Sequence, residues 1–116
     1  MIGYAHIRII DSLSKHIDLD ISVDIVKKDD LFYKDTLGNE YHIKVNDKGL
    51  IINLSSLDHQ TYLNLYDNPN AKIISSLGEL NLPVKVLAFN YKDDIVCMQY
   101  SVDETIKEII IEYGEK

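Results

Sequence analysis

The sequence predicts an all-β fold, an antiparallel up-and-down β-barrel of about eight to ten short strands. Three observations carry this. The run Ile17-Asp18-Leu19-Asp20-Ile21-Ser22-Val23-Asp24-Ile25 alternates apolar and polar residues without a break. Side chains on a strand point to opposite faces at each step, so this run has an aliphatic face and an acidic face. The same pattern recurs along the chain in short β-branched and aromatic runs, punctuated by Asn, Asp, Gly and Pro. No long helical segment separates the runs. Parallel neighbours need crossovers of about a dozen residues or more, so sequential strands pair antiparallel. A sandwich also meets these conditions; a closed barrel additionally removes exposed edges.

The first strand spans about Tyr4 to Ile10, with Ala5, Ile7 and Ile9 on one face and Tyr4, His6, Arg8 and Ile10 on the other. Asp11–Lys15 is a polar loop. The Ile17–Ile25 strand follows, closed by the charged run Lys27-Lys28-Asp29-Asp30. Leu31–Lys34 is a short strand, and Leu37-Gly38-Asn39 the turn after it. Glu40–Val45 alternates again and meets Leu50–Leu54 across Asn46-Asp47-Lys48-Gly49, read as a four-residue connection in which Gly49 takes positive φ.

Thr61–Tyr66 sets Leu63 and Leu65 opposite Tyr62, Asn64 and Tyr66. Asp67-Asn68-Pro69-Asn70 is the clearest turn, rich in residues that bond their own backbone or fix φ. Ala71–Ser76 precedes a long extended segment, Glu79–Phe89, with Leu80, Leu82, Val84 and Val86 on one face. Pro83 lies inside it and cannot donate a ladder bond, which implies an edge, a bulge or a bend. After the polar turn Asn90–Asp94, Val96, Met98, Tyr100 and Val102 line one side of the next strand. The last strand, Thr105–Tyr113, buries Ile109, Ile111 and Tyr113. Helix competes at Ser55–Asn64 and at Asp103–Ile111. The triple Ile109-Ile110-Ile111 argues for strand in the second, since stacked β-branched residues lose χ1 freedom in a helix. No internal repeat is evident.

The 116 residues fit one domain, 1–116. A hydrophobic content of 46% and a charged content of 27% are ordinary for a soluble domain. The net charge is -7, Arg8 is the only arginine and the lysines are scattered. Binding a phosphate backbone needs clustered cations, so nucleic acid and anionic membrane are poor partners. Cys97 is the only cysteine, so no internal disulfide can form. The start of the chain lacks the basic and apolar pattern of a signal peptide, and no run approaches the roughly 20 apolar residues of a membrane span. A reducing cytoplasmic location is expected.

Gly49-Leu50-Ile51-Ile52, the run Ser76-Leu77-Gly78-Glu79-Leu80-Asn81-Leu82-Pro83-Val84-Lys85-Val86, the acidic hairpin Asp93-Asp94 and Met98-Gln99-Tyr100-Ser101-Val102 form a recognisable series. With the closing Ile109-Ile110-Ile111-Glu112-Tyr113, the segment from about Leu31 to Tyr113 resembles the calycin-like β-barrel family of small uncharacterised bacterial proteins, the YwiB-like group. The resemblance implies a lipocalin-like barrel and lends no catalytic residues. Calycins pack a Trp near the first strand against a basic residue near the last; this chain has no Trp.

Asp18, Asp20 and Asp24 project from one strand face, where an extended backbone spreads carboxylates that a hard cation would need converged. They read as a solvated outer face that also discourages edge pairing. His6, His16, His42 and His59 have no zinc spacing, although His6 and His42 share the polar faces and could meet across a barrel. There is no Gly-x-Ser-x-Gly elbow, no Gly-rich phosphate loop, and no cofactor motif. Cys97 reads as a buried, inert thiol.

Arg8 stands in an aliphatic strand, so an inward guanidinium would need an anionic partner, whereas an outward one would sit opposite a carboxylate of Asp18–Asp24. Tyrosines offer an apolar body with a polar tip suited to pockets and interfaces. The expectation is therefore a non-catalytic cytoplasmic binding module for a small, partly apolar ligand touched by Tyr4, Arg8, Tyr62 and Tyr66. The alternative is a self-associating or partner-binding protein with a side-chain-filled barrel.

Overall fold

A computed structural model describes residues 3–115 apart from Val26 and Lys28. Met1 and Ile2, and Lys28 of the charged turn expected after the second strand, lie outside the described residues. Ten strands follow one another: β1 (Gly3–Asp11), β2 (Ile17–Ile25), β3 (Asp30–Lys34), β4 (Glu40–Asn46), β5 (Gly49–Ser55), β6 (His59–Leu65), β7 (Asn70–Ser75), β8 (Gly78–Lys92), β9 (Ile95–Val102) and β10 (Thr105–Glu115). Neither segment that competed as helix is helical: Ser55–Asn64 holds the β5–β6 turn and most of β6, and Asp103–Ile111 the β9–β10 turn and the start of β10. Among the described residues no helix is long and apolar enough to cross a membrane.

Every pairing is antiparallel, and the spatial order is β2-β1-β10-β9-β8-β7-β6-β5-β4-β3. Each strand thus lies beside its neighbours in sequence, and β10 returns to β1, the up-and-down plan of a barrel. The seam falls between β2 and β3, bridged among the described residues at Lys27–Asp30. The barrel is nearly closed.

Period-two alternation decides what fills it. Ala5, Ile7, Ile43, Leu50, Leu65, Val96, Met98, Ile109 and Ile111 are all buried, and each is an inward position of its strand. Gly49 departs from expectation. It does not have positive φ; Gly38 and Gly78 do. The connection is Asp47-Lys48 alone, and Gly49 opens β5. Glycine is needed there because a Cβ would lie 2.3 Å from the Leu65 carbonyl oxygen and 2.9 Å from the Tyr66 Cα.

Two irregularities shape the wall. β8 changes partner at Pro83: Asn70 of β7 faces Pro83, and Val102 of β9 faces Val84. A prolyl nitrogen with no hydrogen costs nothing at such a corner, and its carbonyl accepts the Asp103 N–H at 2.8 Å. Further along, Val86 faces Tyr100 and Ala88 faces Gln99, so Leu87 is an extra, exposed residue. This bulge turns Phe89 toward the core.

Candidate ligand-binding site

The two ends of the barrel differ. Toward the β4–β5, β6–β7 and β8–β9 turns the interior is filled. Toward the β1–β2, β3–β4, β5–β6, β7–β8 and β9–β10 turns it holds a cavity of about 330 Å³. Ile9, Leu19, Leu54, Leu63, Ile73 and Leu82 give its wall an aliphatic character, and all are only half-buried because the cavity reaches solvent. Polar groups enter at few points: Tyr41, Thr61, Tyr100, and the pair Asp18–Lys107.

Asp18 arrives by a bulge. Ile9 faces Leu19 and Ile10 faces Ile17, which leaves Asp18 as the extra residue of β2. The bulge takes its carboxylate out of the outer row of Asp20 and Asp24, correcting the expectation that the three share a face. Lys107 lies two residues before Ile109 on the inward face of β10 and faces Tyr100 of β9. Its Nζ donates to Asp18 Oδ2.

Burial, and then the negative charge of Asp18, push the Tyr100 phenol up to about 12. Tyr41 is raised by burial, with Asp35 and Tyr33 adding to it. Both phenols therefore stay neutral hydroxyls near neutral pH, able to donate to a ligand oxygen. An apolar hollow with a few convergent polar groups is the usual form of a small-molecule site, and about 300 Å³ is at the small end of that range.

The residues expected to touch ligand stand elsewhere. Tyr4, Arg8, Tyr62 and Tyr66 do not line this cavity. Inward positions of β1 and β6 carry odd numbers, and these four are even. Arg8 faces outward, in register with Asp20, and its Nη2 donates to Glu112 Oε1 at 2.6 Å. Tyr4 covers Gly114, whose added Cβ would sit 2.4 Å from the Tyr4 ring. Tyr62 faces out between Asn53 and Lys72, and Tyr66 lies past β6, beside Gly49 at the filled end.

The histidines do not converge. His6 contacts Asp20 at 2.5 Å, and His42 contacts Asp30, each on the outer surface. His59 Nδ1 lies 2.8 Å from both Ser56 Oγ and Asp58 Oδ1. A triad instead places nucleophile and carboxylate on opposite ring nitrogens. Among the described residues no three His, Cys, Asp or Glu side chains gather as a metal cluster. Cys97 is half-buried on the outer face, its thiol pushed up by burial and by Glu108 and Glu112.

Sequence reasoning missed Lys107, Tyr100, Tyr41 and Asp18. Lys107 was detectable, being a cation on the same face as Ile109 and Ile111. Asp18 was not, because nothing in an unbroken alternation announces a bulge.

No family model matches the chain, and no curated protein does. Among solved structures, the crystal structure of the YwiB protein from Bacillus subtilis superposes with a TM-score of 0.65 at 15% identity, covering 99% of this chain and 92% of that one. The fold is YwiB-like. At this identity the likeness concerns architecture alone, and the cavity residues stand on their own geometry.

Proposed function

We propose that the protein is a non-catalytic binding module whose barrel cavity takes one small, mostly apolar molecule carrying a hydrogen-bond acceptor. We further read the nearly closed meander as calycin-like and the working location as cytoplasmic. The observation that carries the reading is the aliphatic cavity with Tyr100, Tyr41 and the Asp18–Lys107 pair as its polar points. Aliphatic walls take up the ligand's body, and the phenols and the Lys107 ammonium orient its polar end. A ligand carboxylate would compete with Asp18 for Lys107, so a neutral acceptor or a weakly held anion suits the site best.

The test uses 1-anilinonaphthalene-8-sulfonate as probe, together with a native mass spectrum of the purified protein. Saturable binding of one probe per chain is expected. Ala71→Leu, which fills the cavity from its wall, should abolish it with an unchanged circular dichroism spectrum. Arg8→Ala and Tyr62→Ala should leave it intact. Probe binding that survives Ala71→Leu but fails in the Arg8 or Tyr62 variant would move the site to the outer surface and sink this reading.

A further inference from the structure

In an up-and-down barrel, alternate hairpins emerge at the same end. Four of the five hairpins at the cavity mouth share a tripeptide, Asp11-Ser12-Leu13, Asp35-Thr36-Leu37, Ser55-Ser56-Leu57 and Ser75-Ser76-Leu77, while the fifth, β9–β10, turns on Asp103-Glu104. The sequence alone shows no repeat; the sheet reveals one, because it brings the same pattern to four turns on one rim. Leu13, Leu37, Leu57 and Leu77 are 93%, 77%, 93% and 97% exposed. In three of the four, the first residue clasps the leucine's own backbone. Leu13 N–H donates to Asp11 Oδ1 at 3.0 Å, Leu37 N–H to Asp35 Oδ1 at 2.9 Å, and Leu77 N–H to Ser75 Oγ at 3.2 Å. The β3–β4 and β5–β6 tips lie close together, since a Cβ on Gly38 would be 3.9 Å from Leu57 Cδ2.

Turn tips favour Gly, Asn, Asp and Ser, and the opposite end follows that rule with Asp47-Lys48, Asp67-Asn68 and Asp93-Asp94. Single exposed leucines need no explanation, whereas several gathered on one rim mark an interaction surface. The charges around them select the occupant. Asp11, Asp35, Asp58, Glu79, Asp103 and Glu104 surround the mouth, against Lys15, Lys34 and Lys107. A groove beside Leu13 mixes both characters, with Ile106 next to Asp11 and Glu104. Two such rims repel each other, which disfavours a second copy, and an acidic rim is repelled by an anionic bilayer.

We propose that the mouth of the barrel docks a basic amphipathic helix of a partner protein, with the four tip leucines on its apolar face and the acidic rim on its lysines or arginines. This surface is independent of whether the cavity holds a small molecule. It commits to one form of recognition, in which apolar anchors are read at helical spacing and flanking charge sets orientation.

The probe is a synthetic helix of about 18 residues made only of leucine and lysine, leucines on one face, with a glutamate-for-lysine version as its counterpart. Isothermal titration of the full chain should show saturable 1:1 binding of the lysine helix and none of the glutamate helix. Leu13→Ser with Leu57→Ser should weaken binding by about tenfold, as for loss of two interface anchors, with the melting temperature unmoved because both side chains are exposed. Asp103→Lys with Glu104→Lys should weaken it and flatten its salt dependence. Equal binding of both helices, no binding of the lysine helix, or binding indifferent to the leucine changes would each overturn the proposal. So would a concentration-dependent dimer, or adsorption to phosphatidylcholine vesicles, that the leucine changes abolish while lysine-helix binding stays the same.

Discussion

The two ends of this barrel are built from the same strands and obey the same alternation, yet one is solid and the other hollow. At the filled end, Gly3 and Gly49 let backbones approach so closely that a Cβ would collide with a carbonyl oxygen at 2.5 Å and 2.3 Å. Leu50, Leu65, Val96 and Ile111 interlock there with essentially no exposure. At the open end the inward residues are as aliphatic, but no glycine draws the walls together, and Leu54, Leu63, Ile73 and Leu82 stay half-wet around the cavity. Alternation thus chooses which face is inside. Close backbone approach at Gly3 and Gly49 chooses where the inside is full.

The largest expected effect breaks this comparison directly. Ile109 is fully buried in the interior, while Leu63 lines the cavity. Ile109→Ala removes packed methyl groups that neighbours cannot replace and should cost about 2–5 kcal/mol. Leu63→Ala only enlarges a space that water already reaches, so it should cost about 1 kcal/mol, the transfer term of a partly buried side chain. Urea denaturation of both variants measures the difference. Equal costs would mean that the cavity is as tightly packed as the filled end.

A second contrast comes from protons. Tyr100 faces the cavity, and burial and the Asp18 carboxylate raise its phenol from 10.0 to about 12. Tyr113, stacked on Tyr91 with centroids 6.4 Å apart, is also raised, mainly by burial. A phenol whose folded pKa lies above its unfolded value keeps its proton longer when folded. Its contribution is fully present below pH 10 and is lost as pH climbs toward 12. For Tyr100 the loss should approach about 1.4 kcal/mol per pH unit in that window. Tyr100→Phe should flatten the alkaline limb of stability against pH, and the remaining slope should belong largely to Tyr113. An alkaline limb unchanged by Tyr100→Phe would show that this phenol is freely hydrated through the cavity.

Much of the fold was legible because burial on one face writes itself into period two. The run Ile17–Ile25 matches the bounds of β2, and Val96, Met98 and Tyr100 are inward as their spacing implies. Pro83 signalled the corner of β8, since a residue without an N–H fits where a strand changes partner. The site was less legible. A bulge shifts side chains by one position without disturbing the residue pattern, so Asp18 reads as outward and stands at the cavity. The polar-tipped rings of Tyr62 and Tyr66 suit ligands, yet neither lines the cavity. At Gly49 the local pattern suggests a backbone angle, whereas the position requires the absence of a side chain. That distinction depends on where Leu65 arrives in space, and no local pattern carries it.

The smallest effect concerns the ion pair that marks the cavity rim. The side chains of Lys107 and Asp18 keep 27% and 32% of their exposure, so solvent screens their attraction. Lys107→Met should therefore cost about 0–1 kcal/mol in urea denaturation, well below Ile109→Ala. Asp18→Asn should cost no more, and it sharpens the comparison further because it frees the ammonium at the hollow end. Without its carboxylate partner Lys107 should favour an anionic probe, raising the affinity for octanoate over octanol relative to the native protein. A loss of several kcal/mol in Lys107→Met would instead be the penalty for stranding a buried charge. In that case the rim would be as dry as the filled end, and the contrast between the two ends would be one of shape without hydration.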